Sequence, residues 1–86
     1  MASELEMIIE ELQLVMGAKL RSKVTINVSE DPEQKNDYLL VCHWENLVCS
    51  ANLPKEFTGD DISRAQKRLT NAFIRKVILD KTNTTH

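Results

Sequence analysis

The chain has 86 residues, a formal net charge of −2 and 42% hydrophobic residues, which is the balance of one small globular domain. We expect a single domain over residues 1–86, with about residues 82–86 as a flexible tail. Its two glycines and two prolines exclude collagen-like and low-complexity classes. The apolar runs are far shorter than the roughly 20 residues that cross a bilayer, so we expect no membrane partner.

The N-terminal segment and the cysteines favour an intracellular protein. Residues 1–6 include two acids, whereas a secretory signal begins with basic residues and continues with an apolar core. We therefore expect the cytoplasm, with the nucleus as an alternative. Cys42 and Cys49 are then predicted to be buried thiols and not a disulfide, because disulfides are rare in that compartment.

Residues 4–16 have the pattern of an amphipathic helix, with apolar residues at helical spacing and the acids and Gln13 on the other side. Ser3 followed by Glu6 forms a capping box, which satisfies free amides at the start of a helix. Gly17 is expected to end this helix, because glycine adopts the left-handed conformation of helix ends without strain.

Three strands are predicted after this helix. Residues 23–29 alternate polar and apolar side chains, as a half-buried strand requires. A polar turn separates them from a hairpin over residues 38–53, with residues 45–46 at its tip. This register places Cys42 opposite Cys49 and makes one face of the hairpin wholly apolar, whereas a slip by one residue would mix the two faces.

A second helix follows Pro54, which stops the last strand. Thr58 with Asp61 forms another capping box, and the helix is predicted from residue 60 to about residue 80. The fold class is therefore α+β in the order α-β-β-β-α, with a three-stranded antiparallel sheet and two helices packed on one face. The expected core consists of the apolar residues that these elements bring together, namely Leu5, Ile8, Leu12, Val24, Ile26, Leu40, Cys42, Trp44, Leu47, Leu69 and Phe73.

The outer face of the sheet is the first candidate binding surface. If both helices cover one face, the opposite face exposes a few apolar side chains flanked by polar ones, which a partner or a second copy covers. The alternative is a set of surface aliphatics of the kind that monomers tolerate. The predicted partner-binding residues are Leu39, Val41, His43, Val48 and Ser50.

One face of the second helix is the other candidate surface. Residues 53–86 carry a net charge of +3 and residues 1–52 a net charge of −5. The basic side chains either bind nucleic acid or an acidic partner, or form a solvated face that pairs with the acidic half. The pI of 5.6 favours the solvated face, because proteins that bind duplex nucleic acid are usually strongly basic. The residues of this face are Arg64, Lys67, Arg68, Asn71 and Arg75.

The sequence contains no pattern typical of catalysis, a metal site or a cofactor. Cys42 and His43 are neighbours on a strand and point to opposite faces, and no Cys-x-x-Cys or His-x-x-x-His spacing is present. The two glycines, Gly17 and Gly59, stand too far apart for a glycine-rich phosphate loop. We therefore expect no enzyme activity, no metal, no cofactor and no small-molecule substrate.

The α-β-β-β-α order resembles that of double-stranded-RNA-binding domains and of the small Alu-RNA-binding subunits of the signal recognition particle, over nearly the whole chain. In place of the lysine cluster of the first family, Asp60 and Asp61 stand at the start of the second helix. The loop over residues 30–37 lacks that family's Gly-Pro-x-His-like turn. In the second family the sheet meets RNA, and the open face of this sheet is not basic. The resemblance therefore implies topology, carries over no site residue and raises the expectation of RNA binding only slightly.

Two function hypotheses follow from these surfaces. The first is a non-enzymatic intracellular protein-interaction module, an adaptor, inhibitor or small subunit of an assembly, that binds a protein partner or a second copy. The second is binding of RNA or DNA through the basic face of the second helix.

Overall fold

Two helices and a three-stranded sheet form the fold in the computed structural model, which describes residues 3–83, with side chains up to residue 79. Residues 84–86 of the expected tail lie outside the described residues. The predicted order α-β-β-β-α and the α+β class are confirmed. The elements are α1 (Glu4–Leu20), β1 (Val24–Glu30), β2 (Asp37–Trp44), β3 (Leu47–Pro54) and α2 (Gly59–Asn83).

The sheet is antiparallel in the order β1-β2-β3, so β2 is central and the other two strands are edges. Cys42 lies opposite Cys49 and Trp44 opposite Leu47, which confirms the predicted hairpin register. Glu45 has a positive φ of 55° in the two-residue turn, a conformation that glycine or asparagine adopts at lower cost. The apolar alternation of the two strands therefore imposes the register in spite of an unfavourable turn residue.

Helix α1 is longer than predicted, and the prediction that Gly17 ends it is wrong. The helix continues through residues 18–20, which favour helix, and it ends at Arg21 with a left-handed φ of 55°. The N–H of Ser22 donates to the Gly17 carbonyl at 3.2 Å. A Cβ at Gly17 would lie 3.2 Å from the Ser22 carbonyl oxygen. The absence of a side chain at Gly17 therefore leaves room for the chain to reverse close to the helix.

Both helices begin at the predicted capping residues. Ser3 Oγ accepts the N–H of Glu6 at 3.2 Å. Asp61 Oδ2 accepts the N–H of Thr58 at 2.9 Å, and Thr58 Oγ1 accepts the N–H of Asp61 at 3.4 Å. These reciprocal bonds form the predicted capping box of α2, which then extends to Asn83, beyond its predicted end.

Both helices pack on the same face of the sheet, with α1 mainly against β1 and α2 against β3. Met16 of α1 and Phe73 of α2 are fully buried, and Trp44 meets Phe73 edge-on with ring centroids 5.5 Å apart. The sequence-based core omitted Ile9, Met16 and Leu53, which are among the buried residues. The buried core consists of Ile9, Leu12, Met16, Val24, Ile26, Leu40, Cys42, Cys49, Ala51, Leu53, Ala65, Leu69 and Phe73.

Candidate interaction surfaces

Both helices of the described chain lie on the inner face of the sheet, so the outer face is open. Strand alternation places Leu39, Val41 and His43 of β2 beside Val48 and Ser50 of β3 on this outer face. Leu39 and Val41 are half-buried by their neighbours, whereas the other three are exposed, Val48 to 45%. The structure therefore brings all five predicted partner-binding residues together on one surface.

Three of these residues, Leu39, Val41 and Val48, form what we call the apolar island. Val41 lies directly opposite Ser50, and Val48 is the diagonal neighbour of Val41 across the hairpin. The β1 residues that share this face are uncharged: Thr25, Asn27 and Ser29. A partner that docks on the apolar island therefore meets short polar side chains around it, and few charges.

A polar cluster marks the end of the outer face where the β1–β2 turn lies. The Asn52 side-chain amide donates to Asp31 Oδ2 at 2.6 Å and to Asp37 Oδ2 at 3.2 Å. Asp31 Oδ1 also accepts the backbone N–H of Glu33 at 2.8 Å, and this bond lowers the pKa of Asp31 most. These bonds tie the β1–β2 turn to the edge strand β3 and limit the apolar island at that end.

An ion pair crosses the same end of the sheet. Lys55 Nζ lies 2.6 Å from Glu30 Oε1 and 5.7 Å from the centre of the Tyr38 ring. The hydrogen bond from Lys55 lowers the pKa of Glu30, and the same bond raises the pKa of Lys55. Because both charged groups are solvated, the pair contributes little to the free energy of unfolding. Its main effect is to hold Lys55 close to the end of β1.

The residues predicted for the second surface all lie exposed on one face of α2, which we call the basic face: the bases Arg64, Lys67, Arg68 and Arg75, with the neutral Asn71 among them. Among the side chains up to residue 79, none of them forms an ion pair with an acid. The expected pairing with the acidic half of the chain is therefore not present in the described structure.

The basic face ends in exposed apolar side chains that the sequence analysis did not single out. Ile74 is 46% exposed, Ile78 57% and Leu79 59%. Helical geometry places Ile74 and Ile78, four residues apart, on one side of α2, next to Arg75. Among the side chains that the structure describes, the outward surface of α2 therefore changes from basic to apolar between Arg75 and Leu79.

The two cysteines are buried and free, as predicted. Burial raises the pKa of Cys42 to about 11, with a smaller contribution from Cys49, and burial also raises the pKa of Cys49. A thiol with a raised pKa is a poor nucleophile at neutral pH, so neither cysteine has the properties of a reactive site.

The seam between α1 and the free edge of β1 was missed by the sequence analysis. Gln13 was expected on the polar side of α1, but it lies beside the buried stripe and bonds to β1. Val28, which belongs to the apolar alternation of β1, is only half-buried because α1 covers β1 incompletely. A polar residue next to the apolar stripe of a helix is the one sequence signal that could have indicated this seam.

Within residues 3–83, no group of three or more His, Cys, Asp or Glu side chains is arranged to hold a metal ion. Neither α1 nor α2, as far as the structure describes them, is long and apolar enough to cross a membrane. No family model matches the chain, and no curated protein or solved structure matches it either. The resemblance to RNA-binding domains therefore remains a likeness of element order.

Proposed function

We propose that this chain is a non-enzymatic protein-interaction module that binds through the outer face of its sheet. The observation that carries the proposal is the apolar island, whose members Leu39 and Val41 stand on the central strand and lie under no helix. An open apolar surface in the middle of a sheet is a typical site for another protein surface. The buried thiols Cys42 and Cys49 support an intracellular location, in the cytoplasm or the nucleus.

A second copy of the chain is the partner that this face fits best. Apart from Asp31 and Asp37 at one end, the strand residues of the outer face include no Asp, Glu, Lys or Arg, so two copies whose apolar islands meet oppose few like charges. Two sheets that pack face to face align within about 30° and lie about 10 Å apart, which the short side chains around the apolar island permit. Such a dimer leaves α1, α2 and both sheet edges of each copy facing outward for further partners.

Light scattering over a range of protein concentrations tests this proposal. The chain is expected to form dimers, and Val48→Glu is expected to weaken association at least about tenfold, because it places a charge in the interface. Met7→Glu is the matched control, because Met7 is also apolar, is 61% exposed and lies on α1. A monomeric wild-type chain at high concentration, or equal loss in both variants, would contradict the proposal.

Binding of RNA or DNA through the basic face is the second candidate function. The observation that favours it is that Arg64, Lys67, Arg68 and Arg75 are exposed and pair with none of the described acids. Between Arg64 and Arg75 the helix rises about 16 Å, which is long enough to follow several phosphates.

Electrophoretic mobility shifts with duplex and single-stranded RNA and DNA test this second candidate. Binding is expected to weaken as salt rises, and the double variant Arg68→Glu with Arg75→Glu is expected to abolish it. Lys19→Glu with Lys35→Glu makes the same charge change at exposed bases elsewhere. Absence of binding at low salt, or equal weakening in the control variant, would exclude the basic face as a nucleic-acid site.

A further inference from the structure

We propose that the seam between α1 and β1 binds an extended, basic segment of a partner protein, which adds to the sheet as a fourth strand beside β1. This site uses none of the apolar island or the basic face, so it is independent of the proposed function. Its support comes from the backbone of β1, the shape of the seam and the charges along it.

The free edge of β1 can be identified from the sheet register. Trp44 and Leu47 flank a two-residue turn and therefore form a hydrogen-bonded pair, and such pairs alternate along antiparallel strands. The register then directs the backbone N–H and C=O groups of Ile26, Val28 and Glu30 away from β2. The bond from the Ile26 N–H to Gln13 of α1, at 2.8 Å, agrees with this orientation.

Gln13 satisfies only one of these outward groups. Among the described residues, no hydrogen bond is formed by the outward backbone groups of Val28 and Glu30. The opposite edge of the sheet differs, because α2 packs along β3 and Lys76 Nζ donates to the Val48 carbonyl. The edge of β1 therefore offers the N–H and C=O groups of Val28 and Glu30 to an added strand, whereas α2 protects the edge of β3.

A groove of about 520 Å³ lies beside these outward groups. Its apolar lining comes from Leu5 and Ile9 of α1 and from Val28 and Tyr38 of the sheet, and Leu5, Val28 and Tyr38 are only half-buried. A second groove of about 560 Å³ continues along the same seam beyond Gln13. The Gln13–Ile26 bond separates the two grooves, so the added strand pairs with Val28 and Glu30 and lies in the first groove.

The charge of the first groove specifies the chemistry of the added segment. Glu6 and Glu10 line it from α1 and are exposed, and as neighbours four residues apart they repel each other. Glu30 also lines the groove, but its carboxylate is already paired with Lys55. Arg or Lys side chains of an added strand can pack their stems on the apolar lining and place their charges beside Glu6 and Glu10.

An NMR titration tests this inference with a short synthetic peptide. Threonine occupies every second position of the peptide, and arginine or valine occupies the positions between. Saturable binding is expected, with chemical-shift changes centred on β1 and slower hydrogen exchange of the Val28 and Glu30 amides, since an added strand accepts those N–H groups. A peptide of the same sequence, N-methylated at alternate residues, is expected to lose binding, because it cannot complete the ladder. Binding of both peptides with equal affinity would overturn the strand-addition geometry.

Two charge variants test the acidic side of the groove. Glu6→Lys with Glu10→Lys is expected to weaken peptide binding at least about tenfold, because two attractive contacts become repulsive. Glu11→Lys with Glu33→Lys makes the same net change at exposed acids outside this groove and is expected to keep most of the affinity. Equal losses in the two variants, shifts that map away from β1, or no saturable binding would each overturn the inference.

Discussion

Gln13 Oε1 of α1 accepts the backbone N–H of Ile26 at 2.8 Å, at the free edge of the sheet. This bond satisfies the backbone donor that Ile26, a buried residue, directs outward from the sheet edge. It also holds α1 against β1, where the helix covers the strand incompletely. The bond therefore contributes to stability and fixes the seam in which we place an added strand.

Gln13→Leu is expected to lower the free energy of unfolding by about 1–3 kcal/mol, because it leaves the Ile26 N–H without an acceptor. Gln13→Glu keeps an acceptor oxygen at the same position and is expected to cost less. Urea unfolding of both variants measures the difference. Equal losses in the two variants would show that packing of residue 13, and not the hydrogen bond, is responsible.

The hairpin turn offers a stabilising substitution. Glu45→Gly is expected to raise the free energy of unfolding by about 0.5–1 kcal/mol, because Glu45 has a φ of 55° that glycine adopts without strain. Asn46→Gly is the control, because residue 46 has no positive φ and glycine there only adds entropy to the unfolded chain. Thermal unfolding of both variants measures the effect, and a gain in the control alone would contradict this explanation.

Thr70 is the site of a second stabilising substitution. Its Oγ1 is buried and has no hydrogen-bond partner among the described residues. Thr70→Val removes this hydroxyl while keeping the shape of the side chain, so we expect a gain of about 1 kcal/mol in urea unfolding. Thr58→Val removes a hydroxyl that caps α2 and is expected to lose a similar amount. A loss of stability in Thr70→Val would contradict this explanation, because it would show that the hydroxyl stabilises the folded chain.

The buried thiol of Cys42 predicts a fall in stability at alkaline pH. Its pKa is about 11 in the folded chain and 9.0 in the absence of burial. Between these two pH values the unfolded chain loses the thiol proton and the folded chain keeps it. The contribution of this thiol to the free energy of unfolding is therefore fully present below about pH 9 and falls as the pH rises toward 11. Urea unfolding from pH 7 to pH 11 measures this slope, and Cys42→Ala is expected to reduce it. An unchanged slope in the variant would assign the alkaline loss to other groups.

The sequence predicts the hairpin and α2 well because their signals are local. Alternating apolar residues determine the register around Cys42 and Cys49, and the Thr58–Asp61 pair marks the start of α2. The end of α1 is predicted wrongly because Gly17 carries the local signal of a helix end, whereas residues 18–20 favour helix and the chain leaves the helix at Arg21, which has a left-handed φ.

The candidate surfaces also differ in how far the sequence predicts them. Strand alternation is enough to place Leu39, Val41 and Val48 on the outer face, and helical periodicity is enough to place the basic face on α2. The seam depends on how far α1 covers β1 and on the long-range bond of Gln13, so the sequence does not reveal it.

The most direct test of the proposed interaction surface is an isotope-filtered NMR experiment on a mixture of labelled and unlabelled copies. Dimerisation through the outer face predicts contacts between copies from the methyl groups of Leu39, Val41 and Val48, and their loss in Val48→Glu. Absence of contacts between copies at high concentration, or contacts that arise only from the exposed apolar residues of α2 such as Ile74, would contradict the proposal.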